Sequence, residues 1–184
     1  MNAKPWRPFL SPQPEAGRRF CLHPLDAPSE RFGPLGPFVE IWRDKWQGAE
    51  PPSWSALDFY DFRGWHGWIH VDEQTSESPF DMRCRLWGTE LVDRLGIDET
   101  GQPLSRSPAI AEPKIIPFYR DILSLPAIGT NAGTVTSYGR ASEWTVVKLP
   151  CPGHGGEANV ILSCSVQGVA LSFPPEQLLP GLEA

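Results

Sequence analysis

The stretch MRCRLWGTEL, residues 82–91, decides the fold of this chain because it joins a strand to a short helix at a single glycine. Its first half alternates apolar Met82, Cys84 and Leu86 with arginines, and this period of two is typical of a half-buried strand. Gly88 interrupts the alternation. The sequence therefore predicts a strand that ends at Gly88 and turns directly into a helix.

The helix after this joint is short. Thr89 is placed to cap it by accepting a hydrogen bond from an early backbone N–H, and Leu91 and Leu95 lie four residues apart on one face. Gly96 then favours a helix end, in front of the turn DETG at residues 98–101. We expect a helix over about residues 89–96.

Apolar spacing predicts the remaining elements. A helix from Phe38 to Gln47 and a second helix over residues 113–125 carry apolar residues at helical spacing. Further strands are expected over about residues 66–72, 129–138, 143–149 and 158–167, with a polar hairpin loop at 73–79. Two strands, a helical crossover and three strands indicate an α+β fold. We expect a five-stranded antiparallel sheet with the helices near 89–96 and 113–125 on one face.

The two ends of the chain differ from its middle. Residues 1–37 are rich in proline, which removes backbone donors, so we expect an extended N-terminal arm without regular structure. Residues 38–168 form the predicted domain, and residues 169–184 a short C-terminal tail. We expect neither of these two flanking segments to form an effector domain. A signal from this domain would therefore have to leave through a partner protein.

Composition limits the classes of function. With 184 residues, 40% hydrophobic and 21% charged, the chain fits one globular domain. A net charge of −6 argues against nucleic acid, whose phosphates require a basic surface. The absence of a long apolar run argues against a membrane span, and four scattered cysteines without a Cys-x-x-Cys pair suit a reducing compartment. We expect a cytoplasmic protein.

The sequence carries no established catalytic motif. It has no Gly-x-Ser-x-Gly elbow, no phosphate-binding glycine loop and no His-Glu-x-x-His helix. The pairs Cys151–His154 and His66–His70 each offer two zinc ligands, but four ligands would have to converge from unrelated segments. We therefore predict neither an enzyme nor a metal site.

Five motifs in order resemble the PAS-like sensory domains that occur as short stand-alone proteins in alphaproteobacteria. They span residues 38–168 and are FVEIW at 38–42, the aromatic segment 59–68 leading into a strand, RLWGT at 85–89, DETG at 98–101, and Leu149-Pro150 followed by a glycine-rich turn and the strand from Val160. The resemblance implies a PAS-like α+β fold and a sensory or regulatory role without catalysis.

PAS-like domains differ in what fills their central cavity. Residues 113–125 contain no histidine for a haem iron, and residues 90–95 lack the Asn-Cys-Arg-Phe motif of a flavin photosensor. The resemblance therefore implies no haem or flavin cofactor. It leaves two alternatives open, which are a pocket for an unidentified small molecule and a closed core that serves protein interaction or dimerisation.

The expected pocket is assembled from the inward faces of strands and helices, with Arg85, Tyr138 and Ser163 as the polar residues that could orient a ligand on apolar walls. The full set of predicted ligand-binding residues is Cys84, Arg85, Leu86, Leu91, Leu95, Phe118, Ile122, Tyr138, Leu162 and Ser163. Packing alone would also bury most of these residues. For Arg85 the alternative is an exposed strand arginine or a salt bridge to the helix.

The helix from Phe38 to Gln47 carries one apolar stripe formed by Phe38, Ile41, Trp42 and Trp46. Two tryptophans in water would forgo roughly 1.5–3 kcal/mol of burial free energy each. They must be covered by the chain's own sheet or by a second copy. The resemblance implies that such a leading helix pairs two PAS-like domains, so we predict a homodimer through this stripe.

Overall fold

The computed structural model describes residues 18–46, 50–107, 114–155 and 157–169. Within these ranges the chain combines one antiparallel sheet with helices, so the predicted α+β class is confirmed. The strands and α-helices, in chain order, are β1 (Arg19–His23), α1 (Gly36–Arg43), β2 (Ile69–Glu77), β3 (Phe80–Trp87), α2 (Thr89–Leu95), α3 (Ile115–Ser124), β4 (Ile128–Ser137), β5 (Arg140–Cys151) and β6 (Val160–Gln167).

The sheet formed by the described residues has six strands in the order β1-β4-β5-β6-β2-β3, and all neighbours are antiparallel. The predicted count of five is therefore wrong. The additional strand, β1, pairs with β4 from Arg19 opposite Ala132 to His23 opposite Ile128. Because Pro24 comes only after the strand, every residue of β1 keeps the N–H that a sheet requires.

The predicted absence of regular structure in residues 1–37 is wrong for the part that the structure describes. Besides β1, a 3-10 helix runs over Ser29–Leu35, and α1 begins at Gly36 with Pro37 in its first turn, where a missing N–H costs nothing. Residues 1–17 lie outside the described residues. α1 ends at Arg43, so Trp46 follows the helix rather than lying within it.

One face of the sheet packs against the N-terminal segment, and we call it the N-terminal face. Its strand residues are Ile69, Val71, Ile128, Val147, Leu149, Cys151, Val160, Leu162 and Cys164. Phe38 and Trp42 of α1 are fully buried in the same cluster, and Ile41 and Trp46 pack against it half-buried. The chain's own sheet therefore covers the apolar stripe of α1. This is the first of the two possibilities given above, the other being cover by a second copy of the chain.

The opposite face lies beneath α3, and we call it the α3 face. α3 contacts β3, β4 and β5, and its Phe118 and Ile122 pack in one cluster with Ile161 of β6. Gly129 of β4 permits this close approach, since a Cβ there would lie 2.4 Å from Ile122 Cδ1. α2 packs beside the 3-10 turn His66–Trp68, and its position on the same face of the sheet as α3 stays a prediction.

The joint at Gly88 forms as predicted, with one difference. A Cβ at Gly88 would lie 2.3 Å from the Gly67 carbonyl oxygen, so only glycine fits there. α2 begins at Thr89 itself, which puts Gly88 at the N-cap, and no side chain caps the helix. Gly96 ends α2 in the left-handed conformation, with φ of 74°.

An irregularity in the hairpin of β2 and β3 changes which way the side chains point. Val71 pairs with Leu86 and Asp72 with Cys84, so Arg85 is an extra residue in β3. Met82 consequently packs on the α3 face, while Leu86 packs on the N-terminal face. The predicted common inward face of Met82, Cys84 and Leu86 is wrong, because a bulge breaks the period of two.

The boundaries of β2 also differ from the prediction. The strand begins at Ile69, after a 3-10 turn, and continues to Glu77, so most of the predicted hairpin loop at 73–79 belongs to the strand. Beyond Glu73 the strand pairs with β3 alone, and the side chains of residues 73–77 are half-buried or exposed. In the part of the chain that the structure describes, no helix combines the length and apolarity needed to cross a bilayer.

Candidate functional site

Five polar side chains meet on the α3 face, where they are buried between the sheet and α3. They come from β2, β5, β6 and α3, and we call them the polar network: His70, Asp72, Tyr119, Lys148 and Ser163. Lys148 is only 3% exposed and Asp72 only 5%. Charged groups are rarely buried to this degree unless they are paired.

The sheet register brings the strand members of the network together. His70 of β2 lies opposite Ser163 of β6, and Ser163 lies opposite Lys148 of β5. The three residues thus form a row across adjacent strands, and Asp72 follows His70 on the same face of β2. Tyr119 reaches the row from α3. Alternation along each strand sends the neighbours of these residues to the N-terminal face.

Lys148 is the centre of the hydrogen bonding. Its Nζ donates to Tyr119 Oη at 2.6 Å, to His70 Nε2 at 3.1 Å and to Ser163 Oγ at 3.3 Å. These bonds use all three hydrogens of an ammonium group. Tyr119 Oη in turn donates to Asp72 Oδ2 at 3.1 Å, so the tyrosine hydroxyl links the lysine to the carboxylate.

Burial controls the protonation of the network. It lowers the pKa of Lys148 from 10.5 to about 8, against the opposing attraction of Asp72. Burial raises the pKa of Asp72, while Lys148 and the Tyr119 hydroxyl oppose this shift. The pKa of His70 is held well below its usual value by burial and then by the Lys148 charge, so His70 is neutral near pH 7.

Trp87 and Cys84 of β3 extend the site toward the edge of the sheet. Trp87 lies opposite His70, and their rings are 5.1 Å apart. The buried atoms Trp87 Nε1 and His70 Nδ1 have no hydrogen-bond partner among the described residues. Cys84 lies opposite Asp72, and burial, followed by the charges of Asp72 and Glu99, raises the pKa of its thiol.

Near pH 7 the Lys148 amine and the Cys84 thiol are both protonated. An ammonium nitrogen with three donated hydrogen bonds has no lone pair to offer, and a thiol with a raised pKa stays protonated. Within the described ranges no three His, Cys, Asp or Glu side chains are grouped as metal ligands would be. At this site the buried ring nitrogens without a partner among the described residues, and so available to a ligand, are His70 Nδ1 and Trp87 Nε1.

The structure brings only part of the predicted ligand-binding set together. Ser163 belongs to the network, Cys84 lies beside it, and Phe118 and Ile122 pack in α3 above the same face. Leu86 and Leu162 instead pack on the N-terminal face.

The other predicted residues lie away from the network. Arg85 is half-exposed, which fits the alternative of an exposed strand arginine, and it pairs at 3.4 Å with Glu73 of β2 rather than with a helix. Tyr138 is 64% exposed at the turn between β4 and β5, with its hydroxyl against Gly96. Leu91 is buried and Leu95 half-buried in α2. Arg85, Tyr138 and Ser163 therefore do not converge on one pocket.

Sequence reasoning missed His70, Asp72, Tyr119, Lys148 and Trp87. The sequence does contain a pattern that could have indicated these residues. His70, Asp72, Lys148 and Ser163 lie in strands whose alternate residues are apolar. Such alternation normally means that one face meets solvent. In this chain both faces are covered, and the polar half of the alternation is buried.

A separate open groove lies on the N-terminal side of the molecule. Its volume is about 530 Å³, and it is lined by Lys45, Glu50, Pro51, Pro52, Ser53, Ala56 and His154. No network residue contributes to it. Comparison of the chain with protein-family models, curated proteins and solved structures finds no match. The assignment of function therefore depends on the geometry of the site.

Proposed function

We propose that this chain is a non-catalytic, PAS-like sensory module that binds a small molecule beneath α3 and signals through a partner protein. The PAS part of the proposal is supported by the order of the elements after β1 and α1, in which two strands, a helical crossover and three strands follow one another from β2 to β6. The signalling part is supported by the resemblance of the sequence motifs. The ligand site is supported by the polar network.

The polar network is the single observation that carries ligand binding. Five apolar side chains of similar volume would fill this space without the cost of desolvating Lys148 and Asp72. Perturbed pKa values on buried, converging groups are more frequent at functional sites than elsewhere. Apolar walls from α3 with a few convergent polar groups are also the usual composition of a ligand pocket.

The alternative is a protein-interaction or dimerisation module with a closed core. One observation favours it, because the members of the network hydrogen-bond to one another and so form a self-contained set. A homodimer through α1 stays a prediction. Phe38 and Trp42 are fully buried in their own chain, so only the half-exposed Ile41 and Trp46 are left to meet a second copy.

Native mass spectrometry tests the proposal. We expect the purified full chain to show a mass above that of the denatured chain, because a ligand buried beneath α3 should survive purification. Tyr119→Phe removes the hydroxyl that links Lys148 to Asp72 and should reduce ligand occupancy. Tyr60→Phe is the matched control, since Tyr60 is 77% exposed and should leave occupancy unchanged.

Two outcomes would overturn ligand binding at this site. If the native and denatured masses agree for protein purified from its own cells, the closed-core alternative is preferred. If a ligand is found but Tyr119→Phe and Tyr60→Phe retain it equally, the ligand lies elsewhere, and the open groove on the N-terminal side becomes the next place to examine.

A further inference from the structure

Two buried donors on adjacent strands have no acceptor among the described residues. They are His70 Nδ1 on β2 and Trp87 Nε1 on β3, and the two residues lie directly opposite each other in the hairpin. Their ring centroids are 5.1 Å apart with planes inclined by 46°. The two unpartnered donors therefore belong to side chains that lie next to each other on the α3 face.

The hydrogen-bond network fixes the histidine atom as a donor. An ammonium group has only donors, so His70 Nε2 must accept the hydrogen bond from Lys148 Nζ at 3.1 Å. In a neutral imidazole the other nitrogen then carries the proton. An indole Nε1 is a donor in every state. The two unpartnered atoms therefore both present an N–H.

The nearest carboxylate does not satisfy these donors. Asp72 Oδ2 already accepts from Tyr119 Oη, and its closest approach to the imidazole is 3.8 Å to Nε2 rather than a bond to Nδ1. A buried N–H without an acceptor is destabilising, because it has lost its hydrogen bond to water and gained none in the protein. Two such groups side by side mark a place where an acceptor from outside the chain would be stabilised.

We propose that His70 Nδ1–H and Trp87 Nε1–H bind an oxygen acceptor of the ligand, which is therefore a molecule carrying a carbonyl or carboxylate group. The inference rests on the proposed function, because it places the acceptor of that ligand at the β3 end of the polar network. The nearby Lys148 ammonium disfavours cationic ligands. Ligands that offer only donors would leave both N–H groups unsatisfied.

Nuclear magnetic resonance on the full, uniformly ¹⁵N-labelled chain tests this with simple probes. The Trp87 indole signal is assigned by its loss in Trp87→Phe. Acetate supplies a carboxylate, acetone a neutral carbonyl, and methylammonium only donors. We expect the Trp87 indole proton to move downfield and saturate with at least one acceptor probe and not with methylammonium. A response to acetate alone assigns a carboxylate, and a response to acetone assigns a carbonyl.

The same spectra test the tautomer of His70. Long-range ¹H–¹⁵N correlations should show a proton on Nδ1 and none on Nε2 near pH 7. A proton on Nε2 would overturn the inference, because Nδ1 would then be an acceptor. An indole signal that neither acetate nor acetone moves would also overturn it, and a buried water would then be the partner of the two donors.

Substitution of the tryptophan measures the contribution of its donor. In Trp87→Phe, followed at the His70 ring nitrogens, we expect the responding probe to bind about two- to tenfold more weakly, the value of one lost hydrogen bond. Trp46→Phe is the matched control, because Trp46 Nε1 is also buried and without a partner among the described residues, but packs on the N-terminal face. Equal affinity in both variants would refute the assignment of Trp87.

These results separate the inference from the proposed function. A co-purified ligand without a carbonyl or carboxylate oxygen would refute the inference and leave ligand sensing intact. A Trp87 indole that responds to acetate or acetone, in a chain that carries no ligand from its own cells, would support the donor pair and contradict the proposed function.

Discussion

The N-terminal face and the α3 face of the sheet are both buried and both carry apolar clusters, but they differ in the side chains at their centre. On the N-terminal face the central strands contribute residues such as Val71, Leu149 and Leu162. On the α3 face the residues that alternate with them include Asp72, Lys148 and Ser163. The same strands thus place apolar groups under one cover and a charged network under the other.

This difference between the two faces distinguishes residues that only pack from residues that could bind a ligand. An apolar face is explained by burial alone, which contributes about 25 cal/mol for each Å² removed from water. A buried lysine and aspartate are not explained in this way, because their desolvation offsets much of their mutual attraction. Residues that stabilise the fold are therefore expected on the N-terminal face, and residues that recognise a ligand on the α3 face.

The largest effect is expected from a cavity on the N-terminal face. Trp42→Ala removes a fully buried indole and should lower the free energy of unfolding by about 3–5 kcal/mol, because the surrounding core cannot close the space. Urea unfolding followed by circular dichroism measures this. Trp54→Ala, at a half-buried tryptophan, is the control and should cost clearly less. Equal losses in both variants would contradict the central place of Trp42 in this core.

A somewhat smaller effect is expected on the α3 face, and it should be reversible by a second change. Lys148→Met leaves Asp72 buried without its cation and should lower the free energy of unfolding by about 3 kcal/mol. Asp72→Asn added to it removes the unpaired charge and should restore much of that loss. Additive losses in urea unfolding would show that the lysine and the carboxylate are not coupled.

The dependence of stability on pH provides a third comparison. Lys148 has a pKa of about 8 in the folded chain against 10.5 when unfolded, so between these values the unfolded state binds more protons. The free energy of unfolding should therefore rise with pH through this window, by at most about 1.4 kcal/mol per pH unit from this group.

This pH effect is best measured as a difference. Cys84, Cys151 and Cys164 have raised thiol pKa values, and they lower stability as the pH rises above their usual value of 9.0. Subtracting the profile of Lys148→Met from that of the wild type removes most of this common background. A difference profile that is flat from pH 8 to 9.5 would contradict a lowered pKa of Lys148.

Much of the fold is predictable from local rules. The Gly88 joint, the end of α2 at Gly96, and α3 all follow from residue spacing and glycine chemistry. β1 could not be predicted from the high proline content of residues 1–37. That content is an average over the whole segment, whereas the five residues from Arg19 to His23 contain no proline. The bulge at Arg85 could not be predicted from the sequence of β3 either. It depends on how β3 pairs with β2 and not on the alternation within β3.

The site was less predictable than the fold, for a physical reason. Polar residues that alternate with apolar ones look the same whether they meet water or a second layer. The position of α3 over the sheet makes His70 and Lys148 interior, and that position depends on tertiary packing against Gly129 of β4. Arg85 is the opposite case. The sequence predicts it as a ligand-binding residue, whereas the structure leaves its side chain half-exposed.

The smallest effect is expected at Arg85, and it tests which side of β3 belongs to the site. Arg85 pairs with Glu73 at 3.4 Å while half-exposed, and Arg83 pairs with the same carboxylate at 3.5 Å. Exposed pairs of this kind contribute about 0–1 kcal/mol, so Arg85→Ala and Arg83→Ala should each change the free energy of unfolding by no more than this. Neither should change ligand occupancy in native mass spectrometry, because both side chains lie outside the polar network. If Arg85→Ala abolished occupancy while Arg83→Ala retained it, the ligand would contact the exposed edge of β3, and the contrast between the two buried faces would no longer locate the site.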